Sequence, residues 1–275
     1  MTDGKRLRVA IAGAGGRMGQ TLIEATLQSR DLVLGAALDV ADSPMIGRDP
    51  AERMGQSSGI EVASDPDAAL RDVDVLIDFT RPEGTLAHVE ACVRHGVGVV
   101  IGTTGLQDAH RARITEAART VPIVLAPNMS VGVNVLAKLV EEAARTLGAD
   151  YDVEVVEMHH KHKVDAPSGT ALQLGEAAAR GLGTTLGSSA VYGRHGNTGE
   201  RDRGSIGFAA LRGGDVVGEH TVIFAGTGER IELSHRALSR QNFAAGALRA
   251  ARFIGVRRSA RETGLFDMRD VLGLA

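Results

Sequence analysis

Between residue 7 and about residue 125, short apolar runs alternate with longer segments of helical period. The runs are Leu7 to Ala12, Leu32 to Leu38, Val73 to Phe79, Val97 to Ile101 and Ile123 to Leu125. Near-continuous apolar runs of this length suit strands covered on both faces, and helical crossovers between them imply a parallel sheet. One helix start is legible in Thr80, Arg81, Pro82, Glu83: a candidate N-cap Thr, a Pro in the first turn and a Glu three residues beyond the cap. That helix is expected to run to about His95 and stop at Gly96. A second long helix is predicted from about Asn134 to Leu147, with Leu136, Leu139, Val140, Ala143 and Leu147 at helical spacing, bridging two domains.

After Asp150 the pattern changes. Tyr151 to Met158 reads as a strand, Ser168 to Arg180 as a helix, and Ile206 to Leu211, Val217 to Phe224 and Arg230 to His235 as strands. Strands that follow one another without helices between them predict a largely antiparallel or mixed sheet. Gly181 to Gly204, rich in Gly, Ser and Thr, is expected to be a long mobile loop. Asn242 to Val256 is helical again and is expected to pack back on the first domain.

The first strand leads into VAIAGAGGRMG and a helix from Gln20 to Gln28. Gly13, Gly16 and Gly19 are spaced to turn the chain tightly, let backbone approach a pyrophosphate and pack helix against strand, while Gly13 and Gly15 also open a GxGxxG pattern. Asp39 lies twenty residues beyond Gly19 at the end of the second strand, where a carboxylate accepts hydrogen bonds from the adenosine ribose. Val40 follows it where an arginine would favour an extra phosphate, so NADH is favoured over NADPH, with Arg48 or Arg53 the cations that could alter that choice. Two loops at strand ends, Gly102 to Gly105 and Ala126 to Met129, offer small residues and backbone groups for the nicotinamide end. The expected fold class is α/β: a Rossmann-like parallel-sheet domain (residues 1–130 and 241–275) plus an α+β domain with a mixed sheet (131–240) for substrate and oligomerisation.

Composition narrows this reading. The chain has 275 residues, above the usual single-domain size, with 43% apolar and 24% charged residues and a formal net charge of −3. Nothing in that balance points to nucleic acid or an anionic membrane. Cys92 is the only cysteine, which excludes an intramolecular disulfide and a Cys-based zinc site. No stretch approaches the roughly 18 uninterrupted apolar residues that span a bilayer. The polar lead before Leu7 is followed by too short an apolar run for a secretory signal, so a cytoplasmic location is expected.

Residues 157–170 read EMHHKHKVDAPSGT and hold three of the nine histidines and two lysines within five positions. If the strand continued through them, His159, Lys161 and Lys163 would point one way and His160 and His162 the other, making a cationic pocket. Ser168, Gly169 and Thr170 would offer free amides and hydroxyls at the following helix start, a favourable place for carboxylates. The ligand expected is therefore a small molecule with more than one carboxylate. Adjacent histidines also suit a metal, but there is no HExxH helix or evident carboxylate ligand, and none is expected. Hydride transfer to an imine or conjugated carbon leaves negative charge beside it, which a general acid stabilises; His159 and Lys163 fit that role.

VAIAGAGGRMG, DFTRPEGTLAH, VIGTTG, APNMSVGVNVL, EVVEMHHKHKVDAPSGTAL, GEHTVIFAGTGERIELSHRA and GLFDMRDVL together resemble the dihydrodipicolinate reductase family across nearly the whole chain. The resemblance implies reduction of the cyclic dehydratase product to tetrahydrodipicolinate with NADH or NADPH, in diaminopimelate and lysine biosynthesis. It implies His159 as the acid and base and Lys163 as the proton donor, with His160, Ser168, Gly169 and Thr170 holding substrate carboxylates. Gly13, Ala14, Gly15, Gly16, Arg17, Met18, Asp39, Gly102, Thr103, Thr104, Ala126, Pro127, Asn128 and Met129 would contact the cofactor. A homotetramer joined through second-domain sheets, with domain closure, is also implied. Val40 departs from members with a basic residue there. Rival readings are another Rossmann reductase of a small dicarboxylate or amino acid, such as an aspartate or homoserine dehydrogenase, and a non-catalytic NAD-binding regulatory module.

Overall fold

The computed structural model describes residues 6–274, so most of the polar lead lies outside the described residues. Its contacts divide the chain into two compact units: residues up to Ser130 together with those from Arg240 onwards, and Val131–Ser239.

In the first unit, β1 (Leu7–Ala12), α1 (Arg17–Leu27), β2 (Leu32–Leu38), β3 (Val62–Ala63), α2 (Pro66–Ala69), β4 (Val75–Asp78), α3 (Pro82–His95), β5 (Gly98–Ile101), α4 (Asp108–Ala117) and β6 (Pro122–Leu125) follow one another. The second unit holds α5 (Val131–Leu147), β7 (Asp152–His159), α6 (Gly169–Gly181), α7 (Leu186–Ser189), β8 (Ala190–Val191), β9 (Ile206–Arg212), β10 (Gly218–Ala225) and β11 (Arg230–Ala237). The chain then returns to the first unit with α8 (Gln241–Ser259), β12 (Gly264–Phe266) and α9 (Met268–Leu272).

The first sheet has the order β12-β6-β5-β4-β1-β2-β3, with every pairing parallel. Its strands are covered on both faces, as their unbroken apolar character requires. One face packs Val9, Ile11, Val75 and Ile77 against α1 and α8 through Leu22, Ile23, Ala247 and Ile254. The other packs Ala10, Leu76 and Val99 against α3 and α4 through Leu86, Val89, Cys92 and Ile114. This is the Rossmann-like arrangement expected, with two further edge strands, β3 and β12, that the apolar runs do not reveal.

The second sheet, β11-β10-β7-β9-β8, is mixed: β10 is antiparallel to β7 and β11, whereas β9 is parallel to β7 and β8. Strict alternation along β7 sends Val153, Val155, Glu157 and His159 to the buried face. There the valines meet α5 and α6 through Leu136, Val140, Leu174 and Ala178.

Three local expectations change. Thr80 does not cap α3: its hydroxyl and amide both turn back to Asp78, and Arg81 takes the N-cap position without a side-chain cap, while Gly96 ends the helix at φ +64°. The segment 181–204 is not loop throughout, since α7 forms within it and β8 pairs with Ile206 and Gly207. The strand through the histidine cluster stops at His159. A turn follows, held by the His160 amide on Val216 O at 2.7 Å and the Lys163 amide on His160 O at 3.1 Å. The predicted alternation of side chains from 160 to 163 therefore does not occur.

Candidate active site

In the first unit, successive connections leave β1 and β4 in opposite directions, which opens a crevice beyond their carboxyl ends. Gly13, immediately after β1, adopts φ +73°, and its carbonyl accepts the Gly16 amide at 2.9 Å. The Ala14 amide is tied to Leu38 O at the end of β2, also at 2.9 Å. A Cβ on Gly19 would sit 2.0 Å from Gly13 O, so only glycine lets α1 begin this close to the turn. Gly16 is the N-cap of α1 without a side-chain cap, leaving the helix's first amides for an anion. Gly16 and Arg17 are exposed, whereas Ala14 is buried in the core and Met18 packs partly against it.

Asp39 stands beside this turn. Its Oδ2 accepts the Gly15 amide at 2.8 Å and the Ser43 hydroxyl at 2.9 Å, and its Oδ1 accepts the Val40 amide at 2.9 Å. Arg48 is engaged by Glu52 in a two-pronged ion pair, and Val40 is 65% exposed.

The loops after β4, β5 and β6 open at the same edge. Asp78, fully buried at the end of β4, accepts the Thr80 amide and hydroxyl at 2.7 Å each and pairs with His88 Nδ1 at 2.8 Å. Thr103 lies 3.4 Å from the same carboxylate and 2.7 Å from the Thr85 hydroxyl. A buried polar network thus fixes the 102–104 loop to α3, a role for Asp78 and His88 that sequence reasoning missed. Gly102 is required there, since a Cβ would meet the Phe79 ring at 2.2 Å. A cleft of about 340 Å³ follows, lined by Thr103, Thr104, Arg111, Pro127, Phe266 and Asp267. In the loop after β6, Ala126 and Met129 are buried, Pro127 is exposed, and the Asn128 carboxamide accepts the Ser130 amide at 2.8 Å. Met129 is wholly buried, backbone included.

In the second unit, the buried face of the mixed sheet ends in a polar cluster. His159 is 8% exposed, and its Nδ1 lies 2.6 Å from Glu157 Oε2. Arg212, beside His159 in the β7–β9 register, donates to both oxygens of Glu157 at 2.8 Å. The edge of the His220 ring meets the His159 ring at 5.1 Å between centroids, and His220 Nε2 lies 3.0 Å from Ser168 Oγ. Burial pushes the His159 imidazole below its usual range; Glu157 pulls it back up, and Lys163 and Arg212 push it down again. His220 is driven to about 3 by burial first and by the neighbouring His159, so it is neutral.

Lys163, in the turn after β7, pairs with Asp165 at 2.7 Å. His160 is partly buried, with its Nδ1 lacking a hydrogen-bond partner. Gly169 and Thr170 form the first turn of α6, and a Cβ on Gly169 would enter open space. Ser168 does not present the free groups expected of it. Its amide donates to Glu157 Oε1 at 3.1 Å, and its hydroxyl accepts the Ala171 amide at 3.1 Å as the helix cap. In this unit the sequence reading did not include Glu157, Arg212, His220 and Asp165, which the structure places around His159, Lys163 and Ser168. Only Glu157 left a signal, since period two from Val153 and Val155 puts it inward. Among the described residues no three His, Cys, Asp or Glu side chains are grouped to hold a metal ion, and no helix is long and apolar enough to cross a membrane.

Comparison with known proteins bears on both units. Residues 7–129 match the family model described as dihydrodipicolinate reductase, N-terminus, and 132–272 match dihydrodipicolinate reductase, C-terminus. The chain is 59% identical over 268 residues to the 4-hydroxy-tetrahydrodipicolinate reductase of Burkholderia multivorans, covering 98% of this chain and all of that one. It is 57% identical to the protein of the same name from Dechloromonas aromatica, covering 97% of this chain and 98% of that one. Among solved structures it resembles the dipicolinate-bound dihydrodipicolinate reductase of Paenisporosarcina sp. TG-14, with TM-score 0.75, 26% identity and coverage of 95% and 97% of the two chains. The chain belongs to the dihydrodipicolinate reductase family.

Proposed function

We propose that this protein reduces 4-hydroxy-tetrahydrodipicolinate to tetrahydrodipicolinate with a nicotinamide cofactor, as a step of diaminopimelate and lysine biosynthesis. The observation that carries the reading is the cluster at the end of β7, where a histidine on a buried carboxylate lies beside a lysine and the start of a helix.

The turn after β1 fits a dinucleotide, because the positive φ of Gly13 and the space kept by Gly19 bring α1 up close behind the turn with its first amides uncapped. Gly13, Ala14, Gly15, Gly16, Arg17 and Met18 would hold the pyrophosphate, and Asp39 the adenosine ribose. Gly102, Thr103, Thr104, Ala126, Pro127, Asn128 and Met129 would hold the nicotinamide end. The bound nicotinamide supplies hydride. Asp39 next to an apolar Val40, with Arg48 engaged by Glu52, supports NADH over NADPH.

His160, Gly169 and Thr170 would hold the substrate carboxylates on the cationic turn and the α6 amides, with Ser168 ordering that turn as the cap. Hydride addition to the conjugated ring leaves negative charge that takes up one proton, and loss of the 4-hydroxyl as water moves a second proton from the neighbouring ring carbon to the departing oxygen, so one hydride and one proton are consumed in all. Lys163 donates to the developing charge, and His159 Nε2 exchanges the second proton. The reading extends to a cytoplasmic homotetramer joined through the second-unit sheets. Val156, Met158, Leu211 and Ile223, partly exposed on the face opposite α5 and α6, support that association.

The test is oxidation of NADH by the purified chain, followed by absorbance, with the dehydratase and its substrates supplied. Turnover is expected only with the complete coupled system. Lys163→Ala should lower kcat by about 10²- to 10⁴-fold, with NADH binding intact by fluorescence titration. No turnover in the coupled assay overturns the assignment.

A further inference from the structure

Along β7 the two inward positions nearest the turn are a carboxylate and an imidazole, where the earlier ones are valines. Glu157 is 1% exposed, and an ionised carboxylate there is tolerable only if its acceptor positions are filled. They are. Oε1 receives the Ser168 amide and Arg212 Nη2, and Oε2 receives Arg212 Nη1 and faces His159 Nδ1. Arg212 is itself anchored by Asp165 O at 2.7 Å and Leu211 O at 2.6 Å. Four contacts from three elements leave the carboxylate one orientation.

An ionised carboxylate accepts and cannot donate, so the His159 nitrogen facing it must carry the proton. Burial works against ionisation of Glu157, but Arg212, His159 and the Ser168 amide outweigh it and hold the carboxyl below its usual range. The proton on Nδ1 leaves Nε2 as the exchanging atom. Nε2 lies beside Gly218 of β10, which leaves it room: a Cβ there would come within 2.9 Å of it.

We propose that Glu157, clamped by Arg212, is a positioning residue that fixes His159 as the Nδ1-protonated tautomer and presents Nε2 for proton exchange. The proposal rests on the catalytic reading of His159. Neither Glu157 nor Arg212 needs to touch substrate: the carboxylate sets the tautomer and ring plane, and the guanidinium keeps the carboxylate charged and immobile.

The charged and titratable groups facing His159 are Glu157 on its own strand, Arg212 on β9, His220 on β10 and Lys163 in the turn. Glu157 alone raises the His159 pKa; Lys163 and Arg212 lower it, and His220 is neutral. Removing the Glu157 charge therefore stabilises neutral His159, and the limb of the pH–rate profile belonging to His159 moves to lower pH.

The experiment compares wild type, Glu157→Gln, Glu157→Asp and His159→Gln in the coupled assay across pH. Nitrogen NMR of histidine-labelled protein reads the tautomer independently of turnover, and circular dichroism checks folding. In wild type, His159 is expected to be protonated at Nδ1 when neutral. Glu157→Gln should lower kcat by about 10²-fold or more, leave KM for NADH unchanged, and shift the limb down by about one pH unit. Glu157→Asp, which keeps the charge, should recover most of that shift. An Nε2-protonated His159 in wild type overturns the proposal, as does a folded Glu157→Gln with an unmoved limb and kcat within about threefold of wild type. If Glu157→Gln instead fails to fold, Glu157→Asp and the wild-type tautomer decide. Normal turnover by His159→Gln overturns the catalytic reading of His159 itself, whatever the tautomer.

Discussion

Asp39 shows how much of a site one side chain can organise. By accepting the Gly15 amide and the Ser43 hydroxyl on one oxygen and the Val40 amide on the other, it holds the glycine turn against the end of β2 while keeping its charge at the crevice. A phosphate on the adenosine ribose would meet that charge beside an apolar Val40 and an Arg48 already paired with Glu52. Val40→Arg is therefore expected to raise the NADPH to NADH ratio of kcat/KM by about tenfold, equivalent to about 1.4 kcal/mol. An unchanged ratio would show that Val40 is not the determinant. Asp39, His159 and Lys163 were legible as candidates because spacing or clustering marks each of them locally. The support of His159 was not, because Arg212 reaches Glu157 across a separation of 55 residues. Ser168 was misjudged for a related reason: its position at a helix start was visible, but the carboxylate that takes its amide lies on β7.

At the scale of elements, the long apolar runs identified the inner strands of the first sheet, whereas β3 and β12, two and three residues long, carry too little sequence to show a period. Helix α3 was legible from Pro82 to Gly96, yet its cap was not, because Asp78 draws Thr80 into the buried network. The return of α8 to the first unit was expected from the sequence; what fixes its seat is close backbone approach. A Cβ on Gly246 would lie 1.7 Å from Met129 O, a fixed carbonyl rather than a side chain that can swing aside. Gly246→Ala must therefore displace α8 or the loop after β6, and should destabilise the protein by about 1–3 kcal/mol. Gly187→Ala in α7, where a Cβ meets nothing within 4 Å, should change stability by no more than about 0.5 kcal/mol. Urea midpoints of the two variants check this, and equal midpoints would refute the close-approach argument.

At the scale of the molecule, linear order and spatial order part company. The C-terminus family match covers residues 132–272 as one stretch, but the structure assigns Val131–Ser239 to one compact unit and Arg240 onwards to the other. Residues 240–274 supply much of one covering layer of the parallel sheet: Ala244, Ala247, Leu248, Ala250, Ala251 and Ile254 are buried there, and Ile254 fills the space left by Gly98. Arg258 ties the same helix to Asp74 and Gly96 O, and β12 extends the sheet beyond β6. A parallel sheet stripped on one face exposes the inward residues of β1 and β4 to water, so a chain ending at Ser239 should lose the dinucleotide site although every residue proposed to line it remains. The core of the second unit draws only on residues between Leu136 and Leu233 and should survive. Hydrogen exchange of the truncated chain is accordingly expected to show lost protection in Val9–Ala12 and Val75–Asp78 but retained protection in β7 and β10, with NADH binding abolished. Unaltered NADH affinity in that truncated chain would mean that the C-terminal segment decorates the first unit rather than completing it.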